Sequence, residues 1–154
     1  MKRNTREEDE EAKEQEPITI MVVGPPGVGK STLCSYLVDG RESQRFKSSK
    51  ASVGGVTREM KVAIGHALGD SSMSKVKVIE TAGFGDPTFS MKDQVKEFKK
   101  VFSSKDKIDI LIFVTRSTDV RVTLQERTTL TSLKRFMTKI KPESFYFLIS
   151  HSDI

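Results

Sequence analysis

Gly24-Pro25-Pro26-Gly27-Val28-Gly29-Lys30-Ser31 reads G-x-x-x-x-G-K-S, and its flanks constrain the fold more than any other stretch of the chain. Before it runs Ile18-Thr19-Ile20-Met21-Val22-Val23, a β-rich apolar segment. After it, Ser31-Thr32-Leu33-Cys34-Ser35-Tyr36-Leu37-Val38 carries apolar residues at helical spacing. Strand, glycine loop and helix in that order make the pattern a phosphate-binding loop rather than a turn that happens to hold a lysine. The glycines let backbone N–H groups close around phosphates, and the following helix presents its positive end to them. In that setting Lys30 reaches the β- and γ-phosphates and the Ser31 hydroxyl binds Mg²⁺. Gly24, Gly27, Val28, Gly29, Lys30, Ser31 and Thr32 are the residues expected to hold the nucleotide phosphates.

With 154 residues the chain is long enough for one domain with a real core. No apolar run approaches the ~20 residues of a membrane span, and the N-terminus lacks a signal-peptide core. The single cysteine, Cys34, excludes an internal disulfide and fits a reducing, cytoplasmic setting. It is expected half-buried on the first helix, as packing. Residues 1–16 carry four basic and seven acidic side chains, net −3, so the remainder carries +8. The expected organisation is a disordered acidic tail over 1–17 and one domain over 18–154. A basic body is compatible with nucleic acid. Here a phosphate ligand and solvated helix faces (Lys92, Lys96, Lys99, Lys100) are the preferred reading, with no nucleic-acid partner.

The rest of the chain alternates strands and helices. Val76 to Ile79, Ile108 to Val114 and Phe145 to Ile149 read as strands. Met60 to Ala67 alternates Met60, Val62, Ile64 and His66 with Lys61, Ala63 and Gly65, as a strand exposed on one side would. Gly69-Asp70-Ser71-Ser72 predicts a turn, hence a hairpin into Val76. Helices fit Met91 to Phe102 and Leu124 to Ile140, the second opened by the T-x-x-E spacing of Thr123 and Glu126. This pattern predicts an α/β fold with a mostly parallel sheet and ligands at the strands' C-terminal ends. Three further segments fall at such ends or in the loops beside them. Glu80-Thr81-Ala82-Gly83 follows the Val76 strand; an acidic residue there holds Mg²⁺, directly or through water, and the Gly83 N–H senses the γ-phosphate. Thr57, in the loop before the second strand, completes the Mg²⁺ shell when triphosphate is bound. Ser150-His151-Ser152-Asp153 follows the Phe145 strand, with Asp153 placed to accept the N1 and N2 hydrogens of guanine and His151 beside it as a further guanine contact.

From about Thr19 to Asp153 the chain resembles the GTP-binding G domains of the septin-like branch, and most closely the AIG-type, immunity-associated GTPases. Ser150-His151-Ser152-Asp153 resembles the T-H-x-D these proteins use in place of N-K-x-D. Arg121-Val122-Thr123-Leu124-Gln125-Glu126 resembles their R-x-T-x-x-E box. Septins share the look of Glu80-Thr81-Ala82-Gly83-Phe84-Gly85-Asp86. The resemblance implies a three-layer P-loop NTPase G domain that binds GTP or GDP with Mg²⁺ through Ser31, Thr57 and Glu80. It implies a switch that dimerises across the nucleotide face and hydrolyses GTP slowly alone. Phe84 follows Gly83 where Ras-like proteins place a water-orienting glutamine. Arg121, with Thr57, is the candidate hydrolytic residue, acting from the partner copy of a homodimer or merely pairing with Asp119; Arg116 and Arg58 are lesser candidates for that role.

The sequence departs from the pattern at Glu80, where the family has Asp, and at Ser150, where it has Thr. The family's further helix, edge strand, second base-contacting loop and closing helix are not expected here, which leaves the guanine pocket reduced and the Phe145 strand as an open sheet edge. The same loop string occurs in adenylate-kinase-like and AAA-type ATPases, which would not require Asp153. A degenerate G domain serving as a non-hydrolysing interaction module is the other alternative, and the intact Lys30 and Ser31 oppose it.

Overall fold

The computed structural model describes residues 15–46, 60–82, 90–103, 107–117, 124, 127, 130, 131, 133, 134 and 140–150. Strands β1 (Ile18–Val23), β2 (Lys61–His66), β3 (Lys75–Glu80), β4 (Ile110–Arg116) and β5 (Phe145–Ser150) form one sheet in the order β2-β3-β1-β4-β5. All neighbours are parallel except β2 and β3, which form the expected antiparallel hairpin. Helix α1 (Lys30–Asp39) covers one face and α2 (Met91–Ser103) the other. Leu124, Arg127, Leu130, Thr131, Leu133 and Lys134 are helical, in line with the expected last helix; Ile140 lies in a bend and not in that helix. The tail over residues 1–14 and the Thr123/Glu126 cap lie outside the described residues.

Strand alternation divides the core in two. Ile20, Val22, Val76, Val78 and Val114 point toward α1, where they meet Val28, Cys34, Val38 and Phe46. Met21, Val23, Ile79, Leu111 and Phe113 point the other way, onto Phe98, Val101, Leu133 and Ile140. Burying each large apolar side chain contributes about 1.5–3 kcal/mol, so both layers are needed to hold the sheet. Helix α2 begins on a cap its sequence carries as S-x-x-D: the Asp93 N–H donates to Ser90 Oγ at 3.2 Å, and that hydroxyl donates to Asp93 Oδ2 at 2.6 Å. Cys34, expected half-buried, is fully buried.

One strand bound needs correction, and one strand is covered on an unusual side. Strand β4 starts at Ile110 rather than Ile108, because Asp109 uses its side chain as well as its backbone on Thr19: Thr19 N donates to Asp109 Oδ2, and Asp109 N to Thr19 O, both at 3.0 Å. In β2 the alternation is present, but the apolar side is the exposed one. Val62 and Ile64 are 51% and 54% exposed, while Lys61, Ala63 and Gly65 are the more covered set. The cause is α1. A Cβ on Gly65 would lie 2.7 Å from Val38 Cγ1, so the helix leaves no room for a side chain at this position. At the other edge, β5 pairs only with β4 among the described residues and exposes Tyr146, Phe147 and Ile149.

Helix α1 ends where it meets the hairpin. Gly40 takes a left-handed conformation (φ +64°), and its N–H donates to Tyr36 O at 2.9 Å. A Cβ there would lie 2.1 Å from Leu68 O, in the tight turn Ala67–Gly69. Gly40→Ala combines the left-handed penalty with a backbone clash and is expected to destabilise the protein by about 2–4 kcal/mol. A thermal melt would show this as a drop of roughly 5–15 °C; an unchanged melting temperature would mean that the helix end and hairpin move apart freely.

Candidate functional site

The parallel register brings the C-terminal ends of β1, β3, β4 and β5 to one edge of the sheet. Val22 pairs with Glu80 on one side and Ile112 on the other; Arg116 pairs with Ser150. Thr81 fastens β3 to β1 at this edge, its N–H and its hydroxyl both donating to Val22 O at 3.2 and 3.1 Å. The glycine loop leaves β1 directly above that point. Gly24 is packed so closely on β4 that a Cβ would fall 2.3 Å from Val114 O. At the far end of the loop, Gly29 has φ +94° and its carbonyl accepts the first α1 hydrogen bond, from Leu33 N at 3.0 Å. The loop is therefore pinned to the sheet at its start and to the helix at its end, with the α1 N-terminus facing it.

Three polar side chains converge beneath the loop. Lys30, almost fully buried, donates from Nζ to Pro25 O at 2.8 Å. Ser31 Oγ donates to Glu80 Oε1. Glu80 is 1% exposed, and its second oxygen, Oε2, has no hydrogen-bond partner among the described residues. Burial dominates the electrostatics. It pulls the Lys30 ammonium down to about 8, with the Glu80 carboxylate opposing the shift. It pushes the Glu80 carboxyl above the ordinary carboxylate range, with the Ser31 hydrogen bond and the Lys30 charge opposing. Each charge costs more to desolvate than the other returns. Such a pair is stored, not relaxed, and a polyanion with a cation would complete it. The donor set fits Mg²⁺: a hydroxyl and an orphaned carboxylate oxygen, both hard ligands. Among the described residues no three His, Cys, Asp or Glu side chains gather to hold a metal alone.

Of the sequence-predicted site residues, Gly24, Gly27, Val28, Gly29, Lys30, Ser31, Thr32 and Glu80 come together at this edge. Thr57, Gly83, Arg121, His151 and Asp153 lie outside the described residues, as does Arg58. β5 nonetheless ends at the same edge, tied there by Ser117 N donating to Ser150 O at 2.9 Å and Ser150 Oγ donating to Thr115 O at 3.1 Å. One contact had not been expected: Arg116, the last residue of β4, donates from Nη2 to Gly27 O at 2.7 Å, within its own chain. Its only sequence signal is a cation ending an apolar strand. An open groove lined by Thr19, Ile64, Lys77, Lys107 and Asp109 sits near the opposite, N-terminal ends of β1 and β4 and shares no residue with this site. No described helix is long and apolar enough to cross a membrane.

A family model described as "50S ribosome-binding GTPase" matches residues 19–149. No curated protein matches the chain. Solved structures with this fold include Era in complex with MgGDPNP and nucleotides 1506–1542 of 16S ribosomal RNA, with 19% identity, a TM-score of 0.55, and coverage of 88% of this chain and 40% of that one. The G domain of the T. maritima FeoB iron transporter is 20% identical, with a TM-score of 0.51 and coverage of 90% and 74%. An Aquifex aeolicus Era variant bound to GDP·AlF₄⁻ is 19% identical, with a TM-score of 0.54 and coverage of 88% and 40%. The chain thus spans about 40% of the two Era chains, and at these identities the likeness shows the fold.

The raised Glu80 carboxyl sets a signed expectation. Its charged form is disfavoured by folding, so the folded protein loses stability as pH rises from the ordinary carboxylate value through the raised one. Glu80→Gln removes the buried charge and keeps an acceptor for Ser31. It is expected to raise the melting temperature of the ligand-free protein at pH 7 and to change it little near pH 4. Melts at the two pH values check this; a lower melting temperature at pH 7 would mean that the carboxylate is net stabilising.

Proposed function

The chain belongs to the family described as 50S ribosome-binding GTPases and is a P-loop GTPase G domain, and on that premise we propose that it is a guanine-nucleotide switch whose phosphate site is Gly24 to Thr32. The observation that carries the reading is the meeting of Lys30, Ser31 and Glu80 under a loop pinned at both ends. Lys30 is a point charge for the β- and γ-phosphates. Ser31 and Glu80 would hold Mg²⁺, which when bound neutralises phosphate charge. Asp153 accepts from guanine N1 and N2, with His151 beside it, and Thr57 and Gly83 respond to the γ-phosphate. The position of β5, whose end carries the chain to residue 151, supports that division between phosphate and base.

The finer reading is an AIG-type switch, supported by the R-x-T-x-x-E-like run at Arg121 and the Ser150-His151-Ser152-Asp153 run. Without a glutamine after Gly83, hydrolysis is slow in one copy and is raised by a homodimer in which Arg121 reaches across the nucleotide face. An arginine supplied in this way is worth ~10³–10⁵ in rate in other GTPases. The check is GTPase rate against protein concentration for wild type and Arg121→Ala. The rate per molecule rises with concentration in the wild type only, and a flat rate in both would eliminate the dimer.

Nucleotide binding is read by titrating GDP and ADP with Mg²⁺. Two or more charge-assisted bonds to guanine predict a preference for GDP of roughly 10–100-fold, and Lys30→Ala is expected to abolish GTP binding. Equal affinity for the two diphosphates would overturn the guanine assignment. The Lys30 ammonium also predicts a pH dependence. Bound phosphate requires it charged, whereas in the free protein it titrates near 8. Binding therefore takes up a proton as pH passes that value, and GDP affinity is expected to fall by up to about tenfold per pH unit above it. Calorimetry at pH 7 and 9 in buffers of different ionisation enthalpy measures both the affinity and the proton.

A further inference from the structure

Arg116 reaches the middle of the phosphate loop, between its two anchored ends. The loop start is fixed by Gly24 against Val114 O, two residues before Arg116 on the same strand. The loop end is fixed by Gly29 O as the first acceptor of α1. Between them, Gly27 is exposed and takes φ +74°. Its carbonyl accepts from Arg116 Nη2 at 2.7 Å, across 89 residues of sequence, and a Cβ on Gly27 would stand 2.8 Å from the same nitrogen. The peptide that joins Gly27 to Val28 is trans, as all described peptides are. In a planar trans peptide the C=O and N–H point in opposite directions. Whatever holds Gly27 O on one side of that plane aims Val28 N–H at the other.

We infer that Arg116 is a positioning residue of the phosphate site: by holding Gly27 O, it turns the Gly27–Val28 peptide so that Val28 N–H faces the bound phosphate. This rests on the nucleotide reading above but adds a residue that the loop motif does not contain. The role suits arginine. A guanidinium donates in a fixed plane, so one bond to a carbonyl sets an orientation as well as a distance, which a flexible ammonium does less well. It also separates Arg116 from Arg121. Arg116 is bonded to the loop of its own chain, which is a different role from action on a second copy.

The test compares wild type with Arg116→Ala, Arg116→Lys and Arg116→Gln, using GDP and inorganic pyrophosphate as separate ligands. Losing a charge-assisted bond that orders the loop is expected to weaken both ligands alike, by roughly tenfold, because both use the phosphate cradle. Arg116→Lys and Arg116→Gln keep a donor and are expected to recover part of that loss; they also serve if the alanine variant does not fold. A fall for GDP with pyrophosphate unchanged would place Arg116 on the nucleoside side and overturn the proposal, as would no change for either ligand. A second readout needs no ligand. The Val28 amide resonance of the nucleotide-free protein is expected to move in Arg116→Ala, while amides in β3 stay in place. If wild type bound neither ligand, the nucleotide reading would fail, and the Val28 resonance would still decide whether Arg116 sets the loop. An unmoved Val28 resonance overturns the proposal on its own.

Discussion

The parallel register of β1 between β3 and β4 is the constraint on which the rest of the molecule depends. Because Val22 lies level with Glu80 and Ile112, the polar end of β3 arrives directly beneath the loop that leaves β1. Alternation decides what lies to either side. Met21 and Val23 go to one core layer, Ile20 and Val22 to the other, so β1 is buried on both faces along most of its length. Slipping β1 by one residue would exchange these faces and carry Glu80 away from Ser31. Thr81 guards against that slip, since its backbone and side chain both close on Val22 O.

What the register assembles is electrostatically expensive. Lys30 and Glu80 are both almost fully buried, and each is shifted toward its neutral form despite the other's presence. A chain optimised for stability alone would replace such a pair by apolar residues of similar volume. The free groups give the reason for keeping it. Among the described residues Glu80 Oε2 has no partner, and Lys30 donates to a loop carbonyl. On the proposed reading, that cost would return as binding energy when a polyanion and a cation bind.

The elements were legible wherever one local signal decided them. The loop lies between a strand and a helix with unambiguous periods, and the hairpin turn carries Gly69 and Asp70. The inner face of β2 was not legible. Alternation shows that a strand has two sides, but which side is covered depends on Val38 of α1, which is remote in sequence. Asp109 reads as part of an apolar strand, yet it stands just outside, because a carboxylate can take the Thr19 N–H in place of a ladder bond. The phosphate loop and Glu80 were legible as a site because motif and strand end coincide. Arg116 was visible only as a lesser candidate for a role in a second copy; its partner is a backbone carbonyl, and a carbonyl leaves no mark in a sequence.

Cys34 gives the protein an internal probe. It is the one cysteine in the chain, it is fully covered between α1 and the sheet, and both its burial and the nearby Glu80 charge raise its thiol well above the ordinary range. The thiolate is the reactive form. In the closed molecule Cys34 is thus shielded twice, by access and by protonation, and modification by an alkylating reagent must wait until α1 lifts. The rate of that reaction measures how often the helix that carries Lys30 and Ser31 parts from its sheet, a local opening free energy read without any label on the surface.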